Sequence, residues 1–346
     1  MLAMTVSPPS PKSRLKAMND WIASIKDRFG LDPASVAPAS NDASFRRYFR
    51  IASAQATCII MDAPPPQEDC RPFVHAAQVL ADAGVSVPEV LTADLDQGFL
   101  LLGDFGNTTY LSGLHQESAP ALYRDATRAL VTMQSASAPG IFPDYSRELL
   151  LRELTLFPEW YLGRHKGIAL TQEQLQVLHK SFDLILANNL AQPAVFVHRD
   201  FHSRNLMILA GEANPGILDF QDAVYGPITY DLVSLLRDAY IRWDEQQVLD
   251  WTIRYWEAAR AAGLPVNRDF SLFYRDFEWM GLQRHLKVLG IFARLSHRDG
   301  KDNYLKDMPL VLDYVLEVLR RYIDLAPLAR LVLDVENRKP TSGYTF

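Results

Sequence analysis

The stretch from Val195 to Asp231 constrains this chain more than any other. Val195-Phe196-Val197 is a short apolar run that enters a polar loop, His198-Arg199-Asp200-Phe201-His202-Ser203-Arg204-Asn205. Leu206-Met207-Ile208-Leu209 leaves the loop, Gly and Pro mark a turn, and Gly216-Ile217-Leu218 ends on Asp219-Phe220-Gln221. Apolar runs of this length, bounded by turn residues, read as short buried strands. The polar groups then cluster at strand ends, where a site is held rigidly while facing solvent.

Asp200, Asn205 and Asp219 are the groups that phosphoryl transfer requires: an acid beside an acceptor hydroxyl, and hard oxygen ligands for Mg²⁺ beside the phosphates. His198-Arg199-Asp200 and Asn205 fit the spacing H-R-D-x-x-x-x-N, and Asp219-Phe220-Gln221 fits Asp-Phe-Gly except at the glycine. This assigns Asp200 as the catalytic carboxylate and Asn205 and Asp219 as Mg²⁺ ligands, with ATP as donor. A plain polar turn, with Asp200 as a cap and Asp219 at a strand end, accounts for either motif alone but not for both in order.

The chain has 346 residues, 48% of them hydrophobic, enough for a large core and more than one domain. A net charge of −6 excludes a general affinity for nucleic acid or an anionic membrane, so nucleotide phosphates must meet local Arg and Mg²⁺. Cys58 and Cys70 are the only cysteines and fit a reducing cytosol. No signal peptide or transmembrane span is read, so a cytoplasmic location is expected. Oligomeric state is not legible.

In chain order, residues 1–12 are expected to be disordered. Leu15, Met18, Trp21, Ile22, Ile25 and Phe29 repeat at helical spacing, closed by Gly30. A small-residue polar loop, Pro38 to Ser44, leads into antiparallel strands over Phe45–Ile51 and Thr57–Met61. Pro72 opens a helix with Phe73, Ala76, Ala77 and Leu80 on one face, closed by Gly84. Glu89–Ala93 and Gly98–Leu102 read as a hairpin, and Gly103-Asp104-Phe105-Gly106 as a hinge. The remainder is mainly helical: Ala119–Ser135; Asp144–Tyr161, with a kink near Pro158; a helix to Leu190 opened by a Thr171/Gln174 capping box; Tyr230–Tyr240; and later helices over residues 245–262, 268–295 and 308–323. The expected organisation is α+β and bilobal: a β-rich N-lobe over residues 13–103, a helical C-lobe over 104–337 and a loose tail over 338–346.

With these motifs on these elements, the chain resembles the protein-kinase-like fold, and more closely its aminoglycoside and choline phosphotransferase branch. His202 lies two places after Asp200, as a His often does in that branch. Asp219 is followed by the Pro-containing turn Gly226-Pro227-Ile228-Thr229-Tyr230-Asp231 rather than a long activation loop. Ser44-Phe45-Arg46-Arg47-Tyr48, His198 to Asn205, and Asp219 to Asp238 resemble the bacterial cell-wall amino-sugar kinases. That resemblance implies phosphorylation of the anomeric hydroxyl of N-acetylmuramate and N-acetylglucosamine in peptidoglycan recycling. It also implies ATP between the lobes, with adenine against Leu100 to Leu102 and phosphates under the Ser44 and Phe45 loop.

One departure matters. Protein kinases hold the α/β-phosphates with a strand Lys paired to a helix Glu, yet this chain has no lysine between Lys26 and Lys166, and the Pro72 helix carries no Glu. Arg46, Arg47 and Arg50 are the available cations, and a guanidinium binds phosphate bidentately. Strand alternation puts Arg47 in phase with Phe45 and Phe49, and Arg46 with Tyr48 and Arg50. Candidate sugar contacts are Glu153, Trp160, His202, Arg204, Arg237, Asp238 and Trp243, with Trp160 and Trp243 as plain core and Arg237–Asp238 as a helix ion pair on the alternative reading. The competing functions are phosphorylation of an aminoglycoside or another small hydroxyl compound, and a non-catalytic nucleotide-binding scaffold.

Overall fold

The structure is a computed structural model that describes residues 11–40 and 46–338; Ser44 and Phe45 lie outside the described residues. The chain divides into two compact units, Met1–Thr108 with Met207–Asp222, and Thr109–Leu206 with Ala223–Phe346.

The first unit begins with helix α1 (Pro11–Phe29), followed by β1 (Asp32–Ser40), β2 (Arg47–Ala52), β3 (Thr57–Asp62), helix α2 (Arg71–Asp82), β4 (Val90–Asp94) and β5 (Phe99–Gly103). The strands form one sheet in the order β1-β2-β3-β5-β4, with antiparallel neighbours. A loop was expected to start at Pro38, yet β1 runs through Pro33 and Pro38. Both prolines are tolerated because β1 is an edge strand, with register shifts along its pairing to β2. Met18, Trp21 and Ile22 of α1 pack with Ile51, Cys58, Ile60, Phe99 and Leu101. By strand alternation Leu100, Leu102 and Met61 point to the opposite face. The segment 207–222, which the sequence reading gave to the helical part, is tied here: Ile208 N donates to Thr108 O at 2.8 Å, Ile217 N to Ser86 O at 2.7 Å, and Phe220 packs on Phe73 of α2 at 4.7 Å between ring centroids.

The second unit holds a helical turn α3 (Tyr110–Gly113), α4 (Ala119–Ser135) and α5 (Arg147–Leu156), then a π-helical segment, Phe157–His165. The expected single helix over Asp144–Tyr161 is therefore two: Ser146 caps α5 at its start, and the helix changes its hydrogen-bond period beside Pro158. Helix α6 (Gln172–Leu190) opens on the Thr171/Gln174 capping box. Strand β6 (Ala194–Val197) leads to the catalytic-type loop. The short hairpin of β7 (Leu206–Met207) and β8 (Gly216–Ile217) follows in the chain, belonging from Met207 on to the first unit, and β9 (Val224–Pro227) of the second unit pairs with β6. Helices α7 (Tyr230–Leu236), α8 (Glu245–Ala261), α9 (Phe270–Asp299), α10 (Met308–Arg321) and α11 (Ala326–Val335) complete the unit. Of these, α11 was not read from the sequence.

Helix α9 is the axis of this unit. Residues 277–290 are buried on every side, including Glu278, Gln283, Arg284, His285 and Lys287. A helix apolar on one face belongs at a surface; one buried all round belongs in a core, and its polar groups then need partners inside the protein. Trp243 is core, with its indole N–H donating to Tyr123 Oη at 2.7 Å. Gly290 lets α9 approach the end of α5: a Cβ there would lie 2.5 Å from the Leu156 carbonyl. Gly281, one face away, has only ordinary contacts, the nearest at 3.5 Å from Val233. Gly290→Ala should therefore destabilise by about 2 kcal/mol or more through overpacking. Gly281→Ala should be neutral or gain up to about 1 kcal/mol of helix propensity. Thermal unfolding of both variants checks the contrast, and equal midpoints would refute the packing argument.

Candidate active site

Asp200 sits in a loop whose backbone is fixed by buried carboxylates. Asp231, wholly buried at the start of α7, accepts the amide N–H of His198 at 2.6 Å and of Arg199 at 3.0 Å. Asp238, just beyond α7, accepts the Ser203 amide at 3.0 Å, the Ser203 hydroxyl and the Tyr240 amide at 3.2 Å. Between these anchors the loop closes on itself. The Asp200 carbonyl accepts from His202 N at 3.0 Å and from Asn205 Nδ2 at 3.0 Å, and Asp200 N donates to His198 Nδ1 at 3.2 Å. Asn205 thus uses its N–H end on the loop, and its other end is an amide oxygen, a donor type that Mg²⁺ accepts.

Arg199 adopts φ 76°, uncommon for a residue with a Cβ. Such a conformation costs about 1–3 kcal/mol and persists only where its surroundings over-determine it. Here the Arg199 amide is held by Asp231, and its Nη2 donates to Glu153 Oε1 at 2.6 Å.

Glu153 on α5, expected at the sugar, is instead 5% exposed and surrounded by donors: Tyr145 Oη at 2.5 Å, Arg199, Gln283 Nε2 at 3.2 Å and Lys287 Nζ at 3.0 Å. Burial raises its carboxyl, but Lys287 and Arg199 outweigh that and hold it below the usual carboxylate range. Lys287 also donates to Tyr230 Oη at 2.9 Å. Burial likewise works to raise Asp200, and the fields of Lys287, His202, Arg284 and Arg199 outweigh it, leaving the Asp200 carboxyl below its ordinary range. Asp231 is different: burial pushes it up to about 7, against the amide hydrogen bonds that lower it. Lys287 and Arg284 were not singled out in the sequence reading. Their signal is lost in a helix that is buried all round and lies far along the chain.

The remaining second-unit candidates separate clearly. His202 faces the edge of Tyr240 at 5.5 Å, and burial keeps its ring on the neutral side. Arg204 stacks over Tyr240 at 3.5 Å and faces Asp307 at 3.9 Å. Arg237 is 3% exposed and donates to Glu278 at 3.0 Å. It is held in a chain that continues from the buried Glu278 outward to Arg321 and Tyr322, so it pairs with α9 rather than with Asp238. Trp160 is half-buried in the π-helical segment.

In the first unit, register separates the arginines. Arg47 lies directly across from Asp62 and donates to it at 3.0 Å from Nε, while Arg14 of α1 reaches the same buried carboxylate at 2.6 Å. Arg47 therefore belongs to the face that α1 covers. Arg50 is taken up by Asp104, at 2.5 and 2.9 Å, and by Asn107 at 2.6 Å, which fastens the Gly103–Gly106 stretch. Arg46 faces Glu68 at 3.1 Å and is also within electrostatic reach of Asp219 and Asp222. Asp219 itself has φ 65° and accepts from Gln221 Nε2 at 2.8 Å. Leu100 and Leu102 are both buried on β5.

The phosphotransferase enzyme family model matches residues 35–264. The chain belongs to this family. Proteins named N-acetylmuramate/N-acetylglucosamine kinase from Neisseria meningitidis serogroup B and Pseudomonas aeruginosa are 50% and 47% identical to it. They cover 95% and 94% of this chain and 98% of their own lengths. Among solved structures, a choline kinase from Streptococcus pneumoniae covers 87% of this chain and 99% of its own, with a TM-score of 0.63 at 12% identity. An ADP-bound aminoglycoside phosphotransferase covers 89% and 99%, with a TM-score of 0.53 at 15% identity. At these identities the solved structures establish the protein-kinase-like fold alone. No helix among the described residues is long and apolar enough to cross a membrane.

Lys287→Met should remove the largest of the fields that keep Asp200 ionised. Asp200's folded pKa is depressed, so its ionised form is retained until the pH falls through that lowered value. Removing the cation raises the value and moves the acid limb of kcat to higher pH. The variant should lose more activity at pH 5 than at pH 8, relative to the parent. A uniform loss across the profile would show that Lys287 acts only through packing.

Proposed function

We propose that this phosphotransferase uses Mg·ATP to phosphorylate the anomeric hydroxyl of N-acetylmuramate and N-acetylglucosamine. The observation that carries this reading is the 47–50% identity, over nearly the whole chain, to kinases named for these sugars. The carboxylate-anchored Asp200 loop supports it from the side of chemistry.

The anomeric oxygen forms a bond to the γ-phosphorus as the bond to the β–γ bridging oxygen breaks. ADP leaves, and the hydroxyl proton passes to Asp200. An Asp carboxylate, with an ordinary pKa of about 4, is a weak base for an alcohol. The anomeric hydroxyl is the most acidic on a sugar, and in a loose transition state the proton leaves late. Orientation therefore matters more than basicity, and a loop pinned at both ends supplies it. Asn205 and Asp219 are the residues we assign to Mg²⁺, on the hard-oxygen chemistry of an amide and a carboxylate. Bound there, the ion would neutralise charge on the transferring phosphoryl group. Arg46 is the cation we assign to the nucleotide phosphates: like Arg47 and Arg50 it has a carboxylate partner, Glu68, but it is also within electrostatic reach of Asp219, the residue we assign to Mg²⁺. A free sugar and ATP as substrates fit a cytoplasmic enzyme of cell-wall recycling.

Asp200→Asn should lower kcat by about 10³-fold while nucleotide affinity survives. An equal loss of ATP binding would refute its role as the acceptor's base. Arg46→Ala should raise KM for ATP by about tenfold or more, as expected for a lost charge-assisted contact, and the Arg47 and Arg50 variants should act mainly on stability. Phosphorus NMR of the product tests the acceptor. Turnover is expected with both N-acetyl sugars, much less with glucose and none with a methyl glycoside. Phosphorylation of the methyl glycoside would identify a different hydroxyl.

A further inference from the structure

Arg284 is an anomaly among the buried cations of the second unit. Arg199 and Lys287 both pair with Glu153, and Arg237 pairs with Glu278. Arg284 is equally buried, at 3% exposure, yet its Nε and Nη1 have no hydrogen-bond partner, and no ion pair holds it among the described residues. Burying a guanidinium is costly unless it is paired and hydrogen-bonded. A cation left this way inside an otherwise paired charge network points to a ligand that completes it.

Its position says which part of a ligand. Arg284 stands on α9 between Gln283 and Lys287, the residues that join the helix to Glu153 beneath the catalytic loop. It is within electrostatic reach of Asp200, Asp231, His202 and Tyr240. It therefore lies on the acceptor's side of the chemistry, within electrostatic reach of the carboxylate that receives the hydroxyl proton. The two proposed sugars differ by one anionic group: N-acetylmuramate carries a lactyl ether ending in a carboxylate, and N-acetylglucosamine has a hydroxyl in its place. The planar guanidinium fork matches a carboxylate bidentately.

Resting on the functional reading above, we propose that Arg284 binds the acceptor's carboxylate and sets the preference for N-acetylmuramate over N-acetylglucosamine. Arg237, a candidate sugar contact on the sequence reading, is committed to Glu278 instead. Arg204 already stacks over Tyr240 at 3.5 Å and faces Asp307 at 3.9 Å. A competing role is general charge compensation for Asp200 and Asp231, which would treat both sugars alike.

The test is steady-state kinetics of the parent, Arg284→Met and Arg284→Lys with N-acetylmuramate, its methyl ester and N-acetylglucosamine. The parent should prefer the free acid to the ester by about tenfold or more, the scale of one charge-assisted contact. In Arg284→Met the ratio of kcat/KM for N-acetylmuramate over N-acetylglucosamine should fall by a similar factor, chiefly through KM, and discrimination between acid and ester should vanish. Arg284→Lys, which keeps the charge that Asp200 and Asp231 face, should lose part of the preference, and it carries the comparison should the Met variant fail to fold. Equal losses on both sugars, with the ratio unchanged, would overturn the proposal in favour of charge compensation. Parent enzyme that turns over acid and ester equally would overturn it whatever the variants do. If the parent phosphorylates neither sugar, the functional reading fails first.

Discussion

The Asp200 loop depends on the buried carboxylate of Glu153. It joins α5, the loop, α9 and Tyr145 at one point, through Arg199, Lys287, Gln283 and the tyrosine hydroxyl. Removing one partner of such a network leaves an uncompensated buried charge, which costs about 3–5 kcal/mol. The arrangement is therefore expensive to break although its net contribution to stability is small. Its value is positional. It fixes the side chain of Arg199, whose backbone is strained and whose neighbour is Asp200.

The same charges act on the Asp200 carboxyl. Asp200 is desolvated, which alone would favour its neutral form, and the surrounding cations reverse that preference. The half-buried Asp200 is thereby kept ionised and is oriented by its own backbone contacts. Asp231 and Asp238 perform a different task with the same side chain. They accept loop amides, so that a segment with few ladder hydrogen bonds is held as firmly as a strand.

The strands of the first unit carry arginines and no lysine. Its arginines are sorted by carboxylate partners. The buried Asp62 claims Arg14 and Arg47, Asp104 claims Arg50 beside Gly106, and Arg46 pairs with Glu68 within electrostatic reach of Asp219 and Asp222. The register of β2 on β3 decides this, since a shift of one residue would exchange the faces of Arg46 and Arg47.

The sequence by itself determined the α+β class, the Thr171 capping box, the helix spanning Ala119–Ser135 and the contiguous loop with Asp200 and Asn205. These were legible because their signals are local: periodicity, caps and short fixed spacings act within a few residues. Only the tertiary structure separated Arg46 from Arg47 and Arg50, drew Glu153 into the interior and brought Lys287 and Arg284 beside Asp200. A helix buried on all sides has no polar face to mark which residue is functional, and strand register is set by partners distant in sequence. The fate of each buried charge was decided by which opposite charge folding placed within reach of it.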